Sequence, residues 1–245
     1  MDLSRIDSQS FKGKFLRLPL RLLPAGTIMP ILSGSLRGKK WIVGSSVHGC
    51  WLGTYEHKKQ TIFTRTVSPR DKVFDIGGNV GFYTLLASKL AGPDGEVFVF
   101  EPLPRNLNYL RKHLDLNKIN NVTVIEAAIS DKDGLASFDN GVCGEMAHIA
   151  SSGQLQVRTY TLDHLLELGK IPVPDLIKMD IEGAEFMALW GARSMLAKAQ
   201  PTIFLATHGA IVHRECCRFL KSLGYQLTPI DGNPLDNSRE IIAMH

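Results

Sequence analysis

The run Val73-Phe-Asp-Ile-Gly-Gly-Asn-Val-Gly-Phe-Tyr-Thr84 limits what this chain can become more than any other stretch. Val73, Phe74 and Ile76 are apolar and suit a buried strand. Gly77 and Gly78 break that strand with a tight turn that lets a ligand approach the backbone. Gly81 lets the next element pack closely against the strand. From Val80 the spacing turns helical, with Phe82, Leu85, Leu86 and Leu90 on one side. The N–H groups at such a helix start suit a carboxylate or a phosphate. Val97-Phe-Val-Phe100 reads as a second buried strand and ends in Glu101, where an acid can accept both hydroxyls of a ribose. This order of elements predicts a site for a nucleoside-bearing cofactor.

The units go on alternating, with a helix expected over 103–117 and a third strand over 122–127. Later strands are expected over 135–138, 156–160, 176–180, 202–207, 225–229 and 240–243, the last two as a possible hairpin. Thr161 reads as the cap of a short helix, a longer helix following the 176–180 strand is expected to run to about Met195, and another over 212–223. Residues 139–154, rich in small side chains, read as a loop near the site. The alternation predicts an α/β fold: a doubly wound, Rossmann-like, mostly parallel sheet with helices on both faces. Residues 1–60, interrupted by prolines and glycines, read as an N-terminal arm and small extension, and 61–245 as the main domain.

Charge argues against a nucleic-acid enzyme. Of the net +4, residues 1–40 contribute eight Lys/Arg against Asp2 and Asp7, so the basic surplus lies outside the cofactor stretch. That leader is either a solvated arm packed on the domain or a contact to an anionic membrane surface. No run approaches the ~20 apolar residues of a membrane span. The four cysteines, Cys50, Cys143, Cys216 and Cys217, form no C-x-x-C pair and read as free thiols of a reducing cytoplasm.

The cofactor follows from the register of the glycines. A dinucleotide fingerprint needs G-x-G-x-x-G, and Gly77-Gly-Asn-Val-Gly81 lacks it. Asp75 lies two residues before the first glycine, where a carboxylate suits a cofactor with a cationic amino-acid end. S-adenosyl-L-methionine has that end, together with an adenosine for Glu101. Asn79 is placed to contact the methionyl group, Phe82 is core or contact, and Glu126-Ala127 closes the third strand beside the adenine. Tyr55 and Glu56 either close over the methionine end or pack at a helix start.

The whole arrangement resembles class I S-adenosylmethionine-dependent methyltransferases, and within them the FkbM family. The closer likeness is carried by 73–84, by Phe100-Glu-Pro102 with Asn106, by Asn121-Val122 with Ala127-Ala128, and by Lys178-Met-Asp-Ile-Glu-Gly-Ala-Glu185. The resemblance extends over roughly 51–225. It implies a seven-stranded sheet with one antiparallel strand and O-methylation of sugar or natural-product hydroxyls, hence a small hydroxyl-bearing acceptor such as a sugar or glycan. The chain departs from the family in Phe204-Leu-Ala-Thr-His208: the family often has acid-x-His there, and Ala206 replaces the acid.

Methyl transfer from a sulfonium needs position and a dry pocket, and a hydroxyl acceptor also needs a base or a metal for its proton. Asp180 and Glu182 leave the strand over 176–180 at its carboxyl end, where ligands bind in open α/β sheets, and either is the preferred base. Their structural alternative is to charge the next helix start, a role that fits Glu185 better. His208 can reach the same mouth and titrates near neutrality. The three could hold Mg²⁺, but their spacing is not a metal motif, so no metal is assigned. Two rivals remain from other classes: a nicotinamide-dependent oxidoreductase and a non-catalytic cofactor-binding scaffold.

Overall fold

The computed structural model describes residues 23–139, 148–149 and 155–245. The basic leader over 1–22 and most of the 139–154 loop, with Cys143, fall outside the described residues. Two short strands, β1 (Ile28–Pro30) and β2 (Lys40–Ile42), pair antiparallel. They lead through α1 (His48–Leu52) and α2 (His57–Thr66) into the alternating part, β3 (Lys72–Ile76), α3 (Phe82–Ala91), β4 (Glu96–Phe100), α4 (Pro104–Leu116) and β5 (Val122–Ile125). Four short strands, β6 (Ala128–Ile129), β7 (Gly134–Asp139), β8 (His148–Ile149) and β9 (Leu155–Tyr160), build a separate small sheet in the order β6-β9-β7-β8. The chain then runs through α5 (Leu162–Glu167), β10 (Leu176–Met179), α6 (Glu185–Trp190), α7 (Arg193–Ala199), β11 (Thr202–Ala206), α8 (Ala210–Ser222), β12 (Gln226–Pro229) and β13 (Glu240–Met244).

Seven strands form the central sheet in the order β12-β13-β11-β10-β3-β4-β5. β3, β4, β5, β10 and β11 run parallel. β13 alone runs antiparallel to both its neighbours. The order reverses between β3 and β10, and in open α/β sheets a ligand crevice opens outside the carboxyl ends at such a point. Two cores lie on the two faces. One gathers α3, α4 and residues of the 31–67 segment, and the other gathers the helices after β9.

The glycines of the loop after β3 are required sterically. Gly77 has φ +78°, and a Cβ there would stand 2.0 Å from the Asp180 carbonyl oxygen. Gly81 has φ +95°, and a Cβ would meet Leu110 Cδ1 at 2.5 Å. The loop is therefore pressed between β10 on one side and α4 on the other.

Three expectations are corrected. α3 is buried from Phe82 to Ser88 rather than along one stripe, because Trp41, Tyr55 and Phe63 cover its outer side and pack edge-on against Phe82 and Tyr83. The third strand ends at Ile125, not Ala127, since a tight turn closed by Ala127 N–H on the Ile125 carbonyl takes the chain out of the sheet. The helix expected to reach Met195 is two helices, broken at Gly191-Ala192. There Gly191 presses against the Ser130 carbonyl, and the Asp163 carboxylate accepts from the Ser194 and Met195 N–H groups, starting a new helix. The Thr161 cap is present, accepting from His164 N–H at 3.1 Å.

Candidate active site

A cavity of about 360 Å³ opens at the carboxyl ends of β3, β4 and β10. Of the residues singled out in the sequence, Gly77, Gly78, Asn79 and Phe82 line it from the loop after β3, and Glu101, Pro102 and Asn106 from the β4–α4 junction. Asp180 and Glu182 line it from the end of β10, and Tyr55 from the N-terminal segment. Asp75, Gly81, Glu56 and His208 stand behind or beside this lining. Ala127 is buried outside it, and Glu126 is exposed and paired with Arg111. The chain's exit from the sheet at Ile125 brings Ala128 and Ile129 to the wall instead. Ser46, Val47 and Cys50 also line the cavity; they come from a short stretch with no periodicity to announce it.

Glu101 is held rigidly. Its Oε2 accepts from Asn79 N–H at 2.8 Å, and its Oε1 from Leu103 N–H at 2.9 Å and Asn106 Nδ2 at 3.3 Å. Burial pushes its carboxyl up, against the pull of those N–H donors. A carboxylate with this few donors retains lone pairs for ligand hydroxyls. Asn79 sits at φ +48°, and its buried Oδ1 has no hydrogen-bond partner among the described residues. An unmatched acceptor in a cavity wall calls for a donor from the ligand.

Asp75 sits directly across the β3–β10 ladder from Lys178. Its Oδ1 stands 3.2 Å from Lys178 Nζ, and its Oδ2 accepts from Thr84 Oγ1 at 2.6 Å. Lys178 Nζ also donates to the Gly77 carbonyl at 3.0 Å, so this buried pair braces the glycine loop from below. Burial opposes the Lys178 charge, yet Asp75 and Asp180 outweigh it and raise its pKa.

A second lysine, unremarked in the sequence, does similar work. Lys59 Nζ lies 2.8 Å from both Glu56 Oε2 and Glu240 Oε1, and 3.9 Å from Asp180 Oδ2. Glu240 lies directly across from Ala206 in the antiparallel β11–β13 pair. Residues so opposed share a face, and a carboxylate therefore stands beside the position where the acid was missing.

The third group gathers at the rim. Glu185, fully buried at the start of α6, accepts from His208 Nδ1–H at 2.7 Å and from Gly183 N–H at 2.9 Å. The carboxylate fixes the imidazole tautomer, leaving Nε2 as the open nitrogen. Nε2 lies 3.7 Å from Asp180 Oδ1 and 3.5 Å from Glu182 Oε2. The hydrogen bond to Glu185, with the charges of Glu185, Glu182 and Asp180, raises the His208 pKa despite burial. Burial pushes the Asp180 carboxyl up, but Lys178, Lys59 and His208 more than offset it and hold it below the usual carboxylate range. One ligand atom from each of Asp180, Glu182 and His208 lies within 4.8 Å of the others, a grouping able to hold a metal ion.

The strand order, the single reversed strand and the cavity at the carboxyl ends define the class I methyltransferase fold. The Methyltransferase FkbM domain matches residues 75–227, and the chain belongs to that family. Over 152 residues it is 26% identical to the hexuronic acid methyltransferase AglP of Haloferax volcanii, covering 61% of each chain. It is 27% identical over 152 residues to the 2-O-methyltransferase NoeI of Sinorhizobium fredii, covering 54% of this chain and 61% of that one. The match thus spans about three fifths of each of these relatives. Among solved structures, the FkbM methyltransferase of Methylobacillus flagellatus superposes with a TM-score of 0.51 at 18% identity, covering 82% of this chain and 56% of the other. A precorrin-6y C5,15-methyltransferase of Geobacter metallireducens gives 0.50 at 19% identity, covering 78% and 89%. These structural likenesses establish the fold.

Proposed function

We propose that this chain is an S-adenosyl-L-methionine-dependent O-methyltransferase acting on a hydroxyl of a sugar or glycan-like molecule. The carrying observation is that one cavity is lined by the anchored Glu101, by Asn79 with its unmatched Oδ1, and by Asp180 and Glu182. Glu101 suits the ribose hydroxyls, and Asn79 Oδ1 suits the ammonium of the methionyl end. When bound, S-adenosylmethionine supplies a methyl already activated on a sulfonium. The acceptor hydroxyl's proton passes to the cluster of Asp180, Glu182 and His208. Asp75, engaged by Lys178 and Thr84, supports the loop and touches the cofactor only through it. The names of the two curated relatives, one a hexuronic acid methyltransferase and one a 2-O-methyltransferase, support a sugar-derived acceptor.

The buried thiols of Cys50, Cys216 and Cys217, none of them in a disulfide among the described residues, support a reducing compartment, the cytoplasm. Among the described residues no helix is long and apolar enough to cross a membrane.

Calorimetric titration with S-adenosylhomocysteine tests the cofactor half, and absence of binding by folded protein refutes it. An NADH fluorescence titration under the same conditions separates the oxidoreductase reading. Transfer of labelled methyl from S-adenosylmethionine to uronic acids and neutral sugars tests the acceptor half.

A further inference from the structure

We propose that Asp180, Glu182 and His208 bind one divalent cation of the Mn²⁺/Mg²⁺ type, which in turn holds the acceptor hydroxyl. The binding site stands on its own geometry; the role toward the acceptor rests on the methyltransferase reading. The three side chains arrive from separate places: the end of β10, the left-handed residue two positions on, and the loop after β11. His208 Nε2 lies 3.7 and 3.5 Å from one oxygen each of Asp180 and Glu182. Ligands ~2.1 Å from an octahedral ion stand ~3.0 Å apart at right angles, so small side-chain rotations close the set. All three side chains are partly exposed, at 22%, 37% and 33%, which leaves coordination positions open, and Asp180 and Glu182 line the cavity.

Two further observations point to a cation. Metal-bound histidine characteristically donates its other N–H to a carboxylate, which fixes the ring and raises its basicity. Glu185 does this to His208 already, and its second oxygen, Oε2, is buried with no hydrogen-bond partner among the described residues. The local charges are also unbalanced. Two lysines, Lys178 and Lys59, face four carboxylates, those of Asp75, Glu56, Glu240 and Asp180, so acids outnumber the cations that serve them. The carboxylates of Asp180 and Glu182 with the imidazole of His208 form a mostly oxygen donor set, which favours Mn²⁺ or Mg²⁺. A hydroxyl bound to such an ion would lose its proton more readily, to the oxygen of Asp180 or Glu182 that does not coordinate the ion, and its oxygen would be held at the carboxyl ends of the strands.

The experiment is titration of the chelator-stripped full chain with Mn²⁺, followed by the electron paramagnetic resonance of free ion. One Mn²⁺ per chain is expected, displaced by excess Mg²⁺. Glu182→Gln and His208→Ala should each weaken binding at least tenfold, and Glu185→Gln about 10–100-fold. Arg70→Ala, on the far surface, should leave it unchanged. Thermal unfolding of every variant in chelator shows which are folded. Absence of Mn²⁺ binding by the folded chain, or binding that survives Asp180→Asn, Glu182→Gln and His208→Ala together, overturns the site. S-adenosylhomocysteine binding without Mn²⁺ binding refutes the metal site and leaves the cofactor reading standing. Mn²⁺ binding with no methyl transfer to any sugar leaves the site and removes its role toward the acceptor.

Discussion

Lowering the pH from 7.5 to 5.0 should destabilise this protein through one residue, His113. It is fully buried in α4, stacked on Trp41 with ring centroids 3.9 Å apart. Its Nδ1–H donates to the Val80 carbonyl at 2.7 Å, and its Nε2 accepts from Ile42 N–H at 3.1 Å. Protonating Nε2 would set one N–H against another, in a site that water does not reach. Burial accordingly lowers the His113 pKa to about 4, only partly countered by the Val80 hydrogen bond. An unfolded chain has its histidine near pKa ~6.5. Between those values the unfolded state binds the proton and the folded state does not, so acidification favours unfolding, and stability is regained as pH rises. The full difference is worth about 3 kcal/mol, of which about 2 kcal/mol is already lost at pH 5. Urea unfolding followed by circular dichroism at pH 7.5 and 5.0 measures it, for the wild type and for His113→Asn. The variant is less stable at pH 7.5 but should show a pH-dependent loss smaller by about 2 kcal/mol. Equal losses in the two proteins would refute the assignment of His113 as the neutral clasp between β2 and the cofactor loop.

Other perturbations discriminate support from contact. Glu101→Ala removes a carboxylate anchored by three N–H groups. It should weaken S-adenosylhomocysteine binding by about 2–4 kcal/mol if the carboxylate receives two ribose hydroxyls, as read by calorimetry. Lys178→Met strands the buried Asp75 carboxylate and should cost about 3–5 kcal/mol of stability in urea melts, with Asp75→Asn in the same chain restoring part of it. Gly81→Ala drives a methyl into Leu110 at a positive φ and should destabilise by about 1–3 kcal/mol, whereas Gly92→Ala, with open space around it, should cost only its backbone strain.

The sequence revealed those parts of the site that depend on local order. Buried parallel strands read as continuous apolar runs, so the stretch at 73–84, the acid after β4 and the acids after β10 were all visible, and they line one cavity. What stayed hidden depends on residues far apart in the chain. Lys59 and Glu240 are separated by 181 positions, and their contact exists only because a final antiparallel strand inserts beside β11. Glu185 carried a recognisable helix-start signal, but nothing local shows that its carboxylate also orients His208. Glu126 shows the opposite limit: an acid at a strand end whose direction is set by the turn it sits in, closed between Ile125 and Ala127.

The hairpin at the edge of the sheet has a consequence for how this site tolerates change. Side chains alternate faces along a strand, so a slip of one residue between β11 and β13 would send Glu240 to the opposite side. The place of the Glu240 carboxylate beside Lys59 therefore depends on the register of β13 as much as on the identity of residue 240. A one-residue insertion or deletion in the connection over 230–239 that shifts this register would act like an active-site substitution, although every residue lining the cavity keeps its name. A variant library that spares only cavity residues would miss this position, and a length scan of that connection would find it.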